Sequence, residues 1–237
     1  VCMDKVAANI VDKLRIIDFF NVIVSGGVVL YGISPILNKY APSFFYVNLG
    51  LENDVEKAIV ICLVCYILGN ALQSIQVLFF KGLKSIVVNR CLSEVSADKG
   101  KETQQKSSVL ANEYKRADVL TKAVKLFTDK NLGAFDPQDP AMCQYFFDYC
   151  ESSNSINGYG GRAERLNELA TFYEQLAVAF YTLTVFALFY MLFVQTNAFL
   201  DCLGYLLMGA IFMGRAYQSR LNWARTVLTT YGVVTDK

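Results

Sequence analysis

One nearly uncharged stretch, residues 176–214, constrains the fold of this chain more than any other feature. It reads LAVAFYTLTVFALFYMLFVQTNAFLDCLGYLLMGAIFMG, and Asp201 is its single charged residue. A helix needs about 20 apolar residues to cross the roughly 30 Å hydrocarbon layer of a bilayer. Two apolar runs, 176–194 and 198–214, stand on either side of the turn residues 195–197. Neither run has the polar face of a soluble amphipathic helix, so the pattern predicts a transmembrane helical hairpin.

Two further apolar runs, residues 16–37 and 58–80, predict another hairpin nearer the N-terminus. Basic residues precede the first run, as in a secretory signal peptide, but this run is too long and no small-residue cleavage site follows it. Hydrophobic residues make up 54% of the 237 residues and charged residues 18%, which also favours a membrane protein. The predicted fold class is an all-α polytopic membrane protein with four transmembrane helices, in two hairpins, and a helical cytoplasmic domain inserted between them.

The positions of Lys and Arg predict the orientation of these spans. Three basic residues precede the first span, two separate it from the second, and five follow the second span within residues 81–101. None lies between the third and fourth spans, and three arginines follow the fourth. Cytoplasmic loops carry the excess of Lys and Arg, so both termini are expected in the cytoplasm. The predicted divisions are a cytoplasmic amphipathic N-terminus (1–15), hairpin 1 (16–80), the cytoplasmic helical domain (81–171), hairpin 2 (172–214) and a cytoplasmic C-terminal tail (215–237).

The inserted domain carries helical patterns and a divided charge. Residues 108–130 have apolar side chains at helical spacing, and residues 141–152 predict a short aromatic helix with Pro140 near its first turn. Residues 81–130 have a net charge of +5, and residues 131–171 have −4. Opposite charges favour packing of the two halves, within one subunit or between neighbours. The basic half is also suited to lie near anionic lipid headgroups.

Several kinds of chemistry are disfavoured by composition. Histidine is absent, which removes the commonest general base and the commonest metal ligand. The seven cysteines are an odd number, and the Cys62/Cys65 CxxC lies inside a predicted span, whereas zinc or redox motifs need a water-accessible turn. Four acidic residues between 136 and 151 do not match the spacing of an EF-hand loop. The sequence therefore predicts a non-enzymatic protein without a cofactor or metal.

Polar side chains recur on both spans of hairpin 1, and we call them the polar seam. Those of the first span fall at i, i+3 and i+7, and those of the second share a face as well. Polar groups inside a membrane face other helices or a water-filled cavity. The seam is therefore either an interhelical hydrogen-bonded contact or a hydrophilic path in an oligomer. Its members are Asp18, Asn21, Ser25, Asn70, Gln73, Ser74 and Gln76.

A glycine-rich loop precedes the third span. Gly158, Gly160 and Gly161 are followed by Arg162 and Arg165 at the start of a predicted helix, where backbone N–H groups can bind an anion. The loop lacks the lysine of a Walker motif and does not match the dinucleotide fingerprint. A hinge is therefore the favoured interpretation, and a ligand loop is the alternative.

Two charged residues mark the cytoplasmic ends of hairpin 2. Glu174 precedes the third span and Arg215 follows the fourth. Packing of the two spans as a hairpin would bring these side chains within reach of each other. We therefore expect an ion pair between Glu174 and Arg215.

The opening of the first span, IIDFFNVIVSGGVVLY, resembles that of many small bacterial multi-pass proteins of uncharacterised function. Those proteins place an acidic–aromatic pair several residues before a Pro-Gly, where this chain has Ser25-Gly26. The resemblance implies a bacterial inner-membrane protein, and Val1, read as a literally translated GTG start codon, favours the same source. Some proteins of this kind are encoded in antiphage defence loci, which implies defence as one setting.

Two classes of function follow from these patterns. The first is an oligomeric, non-enzymatic effector or scaffold, whose cytoplasmic domain binds a protein partner or a ligand and signals to the membrane helices. The second is an ion channel or pore lined by the polar seam. The expected partners are the lipid bilayer, further copies of the chain and a cytoplasmic protein, and no direct binding to nucleic acid is predicted.

Overall fold

The computed structural model describes residues 16–40, 54–80, 82–98, 124, 125, 128, 136, 139–194 and 199–234. Within these residues the chain forms helices and no strand, so the all-α part of the predicted fold class is confirmed. The elements are α1 (Ile16–Tyr40), α2 (Asp54–Phe80), α3 (Leu83–Asp98), α4 (Pro140–Ile156), α5 (Gly161–Val194) and α6 (Phe199–Val234).

Among the helices that the structure describes, three are long and apolar enough to cross a membrane, which indicates a membrane protein. They contain the candidate spans Val55–Phe80, Gly161–Phe193 and Phe199–Val233, whose most apolar windows have mean hydropathies of 2.0, 2.1 and 1.4. The predicted first span is helical, but its apolar segment, Phe19–Pro35, is shorter. A membrane crossing by this first helix, the total of four spans and the arrangement in two hairpins therefore stay predictions.

The chain divides into two compact units. Unit 1 comprises residues 1–80 and 171–215, and unit 2 comprises residues 81–170 and 216–237. Two helices, α5 and α6, contribute residues to both units without a break in their helical backbone.

Glycines bring α1 and α2 of unit 1 into backbone contact. A Cβ atom added at Gly26 would overlap the backbone carbonyl of Cys65, and one added at Gly69 would overlap that of Val22. Only glycine can occupy such positions, and small residues serve the same purpose at many membrane helix contacts. The Gly26–Gly27 pair predicts a close approach from sequence, whereas its partner Gly69 is a contact that the sequence pattern does not reveal.

Helix α5 packs against α1 and against α6 in unit 1. Gly32 of α1 lies against the Leu183 side chain, and Gly209 of α6 lies against the ring of Tyr181. The rings of Phe180 and Phe212 stack with their centroids 5.5 Å apart, which adds an aromatic contact between α5 and α6.

The core of unit 2 is built by α3, α4 and the parts of α5 and α6 that belong to this unit. Its centre is Trp223, which is 1% exposed and packs edge-on against Phe147 with ring centroids 4.8 Å apart. Asp139 caps α4 by accepting a hydrogen bond from the Ala141 N–H at 2.9 Å, and Pro140 occupies the first turn. These contacts place the aromatic helix α4 against the end of α6.

Residues 216–234 continue α6 and belong to unit 2, and the predicted division of the chain at 215–237 stays a prediction. Leu221, Ala224, Val227, Leu228 and Tyr231 are all buried. Their spacing of i, i+3, i+6, i+7 and i+10 is that of one apolar face of a helix, which explains why this segment packs.

Several predicted segments lie outside the described residues. These are the N-terminal amphipathic segment (1–15) and most of the helix predicted at 108–130. Residues 124, 125 and 128 of that predicted helix are described, and all three are helical.

Candidate functional site

The polar seam does not face in one direction. Ser25 and Gln76 are buried inside unit 1, whereas Gln73 and Ser74 of α2 are exposed. The remaining members differ again: Asn21 and Asn70 are half-buried, and the Asp18 side chain lies outside the described residues. The seam therefore separates into an inner part and an outer part.

Ser25 belongs to the packed contact between α1 and α2. Its Oγ donates a hydrogen bond to the backbone carbonyl of Val22 at 3.0 Å, and the residue is fully buried next to Gly26. A hydroxyl satisfied by its own helix leaves no polar group for a path through the unit. This position is suited to close helix packing.

The outer part of the seam is satisfied within its own helix as well. Asn70 Nδ2 donates to the Tyr66 carbonyl at 2.8 Å, and Ser74 Oγ donates to the Asn70 carbonyl at 3.2 Å. Such bonds to the preceding turn lower the cost of placing these side chains in an apolar environment. Gln73 is exposed beside them and is the longest polar side chain on this face.

A buried amide–carboxylate pair joins α2 to α5. Gln76 Nε2 donates a hydrogen bond to Glu174 Oε2 at 2.7 Å, and these residues are 5% and 1% exposed. Gln76 Oε1 has no hydrogen-bond partner among the described residues, and neither does Oε1 of Gln175, which is 2% exposed. Unit 1 thus encloses the Glu174 carboxylate, which accepts a hydrogen bond from Gln76. It also encloses two amide oxygens that have no donor among the described residues.

The sequence predicts that Gln76 lies at the edge of the polar seam, and it predicts an ion pair of Glu174 with Arg215 instead of a contact with Gln76. The predicted partner of Glu174, Arg215, is exposed on α6, and the ion pair between them stays a prediction. Glu174 and Gln175 are adjacent polar residues where α5 changes from a charged to an apolar sequence. Polar residues at this change from charged to apolar sequence are the feature from which the buried contact of Glu174 with Gln76 could be predicted.

The glycine-rich loop forms the turn between α4 and α5. Gly158 has a φ of 76°, a conformation that favours glycine, and its N–H donates to the Ser155 carbonyl at 3.1 Å. Asn157 closes the end of α4 through a backbone bond to Ser153 at 3.1 Å. Arg162 and Arg165 are exposed in the first turns of α5. These bonds satisfy the end of α4 and account for a glycine at position 158.

The thiols of α4 are poorly suited to chemistry. Burial raises the pKa of the Cys150 thiol, and burial together with the charges of Asp139 and Asp136 raises the pKa of Cys143. A thiol that keeps its proton at neutral pH is a weak nucleophile and a weak metal ligand. Both residues belong to the apolar core of unit 2.

No protein-family model, curated protein or solved structure matches this chain. Among the described residues, no three His, Cys, Asp or Glu side chains are grouped so that they could hold a metal ion. Within unit 1, Gln76 and Glu174 form a buried polar contact between α2 and α5.

Proposed function

We propose that this chain is a non-enzymatic, oligomeric effector or scaffold of the bacterial inner membrane. In this proposal, unit 2 lies in the cytoplasm and binds a protein partner or a ligand, and the membrane helices of unit 1 respond. Antiphage defence is the setting implied by the resemblance of the first span. The absence of histidine from the sequence and the raised pKa values of Cys143 and Cys150 favour a role in binding over catalysis.

The observation that carries this proposal is the continuity of two helices. The 34 residues of α5 include residues of both units, and so do the 36 residues of α6. Backbone hydrogen bonds between successive turns make a continuous helix stiff, so a shift at one end is passed along it. Small shifts of packed helices are a common means of switching in proteins.

Hydrogen–deuterium exchange of the full chain in nanodiscs tests this coupling. An antibody fragment selected against unit 2 stands in for the partner, and its binding is expected to slow exchange at residues 171–194 of unit 1. Inserting two glycines after Ala170 should weaken that distant effect while the fragment still binds, because the insertion interrupts α5 and leaves α6 as the one continuous helix. The same insertion after Gln195, between α5 and α6, is the control. Unchanged exchange at 171–194 in the parent chain would contradict the proposal.

Oligomerisation is supported by the outer part of the seam. Gln73 lies seven residues before the end of α2, or about 10 Å along the helix, and it is exposed in the single chain. An amide in hydrocarbon needs a hydrogen-bond partner, and the amide of a second copy both donates and accepts. Mass photometry in nanodiscs should show dimers or larger assemblies, and Gln73→Leu should reduce them. A purely monomeric parent chain would exclude this part of the proposal.

A pore is the second candidate, and the outer part of the seam favours it. In an oligomer, Asn70, Gln73 and Ser74 could line a path between subunits, whereas the buried Ser25 could not. Potassium flux into proteoliposomes distinguishes the candidates. A passive pore conducts with the purified chain alone, and Gln73→Leu lowers its conductance while the assembly persists. A ligand-gated effector conducts, if at all, only after cytosolic extract is added.

A further inference from the structure

Helix α2 packs inside unit 1 along one narrow stripe of side chains. The candidate span of this helix is 26 residues long, and most of its surface is exposed in the single chain. The buried stripe recurs every three or four residues, as one face of a helix does. It comprises Cys65, Gly69, Leu72, Gln76 and Phe80.

A second stripe of α2 is exposed and has the spacing of a helix–helix contact. Its members recur at alternating intervals of four and three residues, which is the heptad spacing of two helices that pack along each other. Ile59, Leu63 and Val77 of this stripe are 62%, 59% and 61% exposed. Any helix contains several stripes with this spacing, so the kinds of side chain decide which one is used. We call this one the heptad stripe, and it comprises Ile59, Leu63, Tyr66, Asn70, Gln73 and Val77.

Two amides distinguish the heptad stripe from other exposed surfaces of unit 1. Asn70 lies ten residues before the end of α2, or about 15 Å along the helix, and Gln73 lies about 10 Å from that end. When α2 crosses a bilayer, both amides therefore lie within the hydrocarbon layer of about 30 Å. The exposed side chains of α5 from 185 to 193, and of α6 from 203 to 211, are all apolar or belong to glycine. Lipid can cover those surfaces, but it offers an amide neither a donor nor an acceptor.

The amides on the heptad stripe retain hydrogen-bonding capacity. Asn70 Nδ2 donates to the Tyr66 carbonyl at 2.8 Å, which uses one of its two N–H groups and leaves Oδ1 as an acceptor. The exposed Gln73 amide has two N–H groups and an oxygen. Because an amide both donates and accepts, the same residue on a second copy can bind to it.

The orientation of two copies in a membrane determines how their α2 helices can meet. Copies of one chain insert in the same orientation, because the same basic residues direct each of them. Two α2 helices that pack together are therefore parallel, and a two-fold axis along the membrane normal places each residue opposite its own copy. An Asn at an a position of a parallel coiled coil fixes both the register and the two-stranded state, and Asn70 takes that position in the heptad stripe.

We propose that two copies of this chain pair along the heptad stripes of their α2 helices, with the amides of Asn70 and Gln73 hydrogen-bonded across the two-fold axis. This inference rests on the oligomeric part of the proposed function, and it specifies the surface, the register and the number of copies. The two α2 helices then pack directly against each other and leave no path between them along this stripe.

Cysteine cross-linking of the full chain in proteoliposomes tests the pairing. Cys62→Ser first removes the exposed thiol at the edge of the stripe, and the cross-linking of this chain is the background. Val77→Cys then places a thiol on the heptad stripe. Leu78→Cys is the matched control, because Leu78 is 77% exposed at the same depth but lies outside the stripe. With copper phenanthroline as the oxidant, Val77→Cys should form a disulfide-linked dimer, and Leu78→Cys should not.

Energy transfer between labelled copies, measured as the proteoliposomes are diluted with lipid, tests the two amides. Asn70→Leu and Gln73→Leu each remove interhelical hydrogen bonds and keep the stripe apolar. Each should raise the Kd of the dimer about threefold to tenfold. Ser74→Ala removes an exposed hydroxyl of α2 outside the stripe and should leave this Kd unchanged.

The outcomes separate this inference from the proposed function. Cross-linking of Leu78→Cys without cross-linking of Val77→Cys would overturn the pairing, whereas the proposed oligomer would still stand with a different interface. An unchanged Kd for both leucine variants would also overturn it, since the amides would then not bind across the axis. A chain that stays monomeric at every lipid dilution would exclude the pairing and the oligomeric part of the proposed function together. Leu63→Cys gives the same readout elsewhere on the stripe if Val77→Cys does not fold.

Discussion

Gly69 lies where α2 crosses α1, against the backbone carbonyl of Val22. Gly69→Ala should therefore destabilise unit 1 by about 1–3 kcal/mol, because the added methyl group forces two helix backbones apart. Gly204→Ala is the matched control, since a Cβ at Gly204 meets no atom within 4 Å. There the better helix propensity of alanine should stabilise the chain by up to about 1 kcal/mol. Thermal unfolding in detergent measures both changes, and equal effects would contradict the close crossing.

A second prediction for an individual residue concerns the reactivity of the buried thiol of Cys150. The pKa of its thiol is raised above its ordinary value by burial, so the folded protein holds the thiol in its neutral form. Iodoacetamide at pH 9 should therefore label Cys150 at least about tenfold more slowly in the folded chain than after denaturation. Mass spectrometry of the tryptic peptide measures the rate. Equal rates in the folded and denatured chain would show that the core of unit 2 is open.

Sequence patterns predict the presence of polar residues on the spans better than the direction in which each one faces. Gln73 and Gln76 are three residues apart on α2, yet Gln73 is exposed and Gln76 is buried. The apolar residues around them are similar on every side of the helix, so no amphipathic stripe indicates the inner face. That face is set by partners distant in the sequence, namely Gly26 for Gly69 and Glu174 for Gln76.

The N-terminus of α4 is an element boundary that local sequence predicts well. Asp139 is the N-cap and Pro140 follows it, an order that suits a helix start. Asp139→Ala should destabilise unit 2 by about 0.5–2 kcal/mol, because the Ala141 N–H loses its acceptor. Asp139→Asn should retain most of the stability, since asparagine caps helices equally well. Urea unfolding followed by fluorescence compares the two variants, and equal losses would argue against a capping role.

The end of α6 shows the opposite case, an element whose length sequence patterns understate. The strongly apolar run ends near Gly214, and three arginines follow it, which suggests the end of a span. The helix nevertheless continues to Val234, because its far part buries a second apolar face in unit 2. A change in the kind of surface that a helix buries is not a signal for the helix to end.

The division into two units rests on two different hydrophobic patterns. Unit 1 contains most of the long apolar segments that hydropathy identifies. Unit 2 is stabilised by a compact aromatic core and carries charged side chains on its surface. Lys84, for example, pairs with Asp148 at 3.2 Å and lies 5.4 Å from the centre of the Trp223 ring. The positive-inside count predicts that unit 2 is cytoplasmic, and its orientation stays a prediction because no backbone feature reports it.

Trp223 makes the two units separately observable, because it is the single tryptophan of the chain and lies in the core of unit 2. Urea weakens apolar burial in water, whereas helices within lipid keep their backbone hydrogen bonds. The Trp223 emission should therefore shift at a urea concentration that leaves most of the far-ultraviolet helical signal intact.

Asn154→Ala should lower the midpoint of the shift by roughly 0.5 M, since it removes a buried hydrogen bond of 2.8 Å to the Val227 carbonyl. Gly69→Ala should leave this midpoint unchanged, because that glycine belongs to unit 1. Coincident fluorescence and circular-dichroism transitions in the parent chain would mean that the units unfold as one cooperative body.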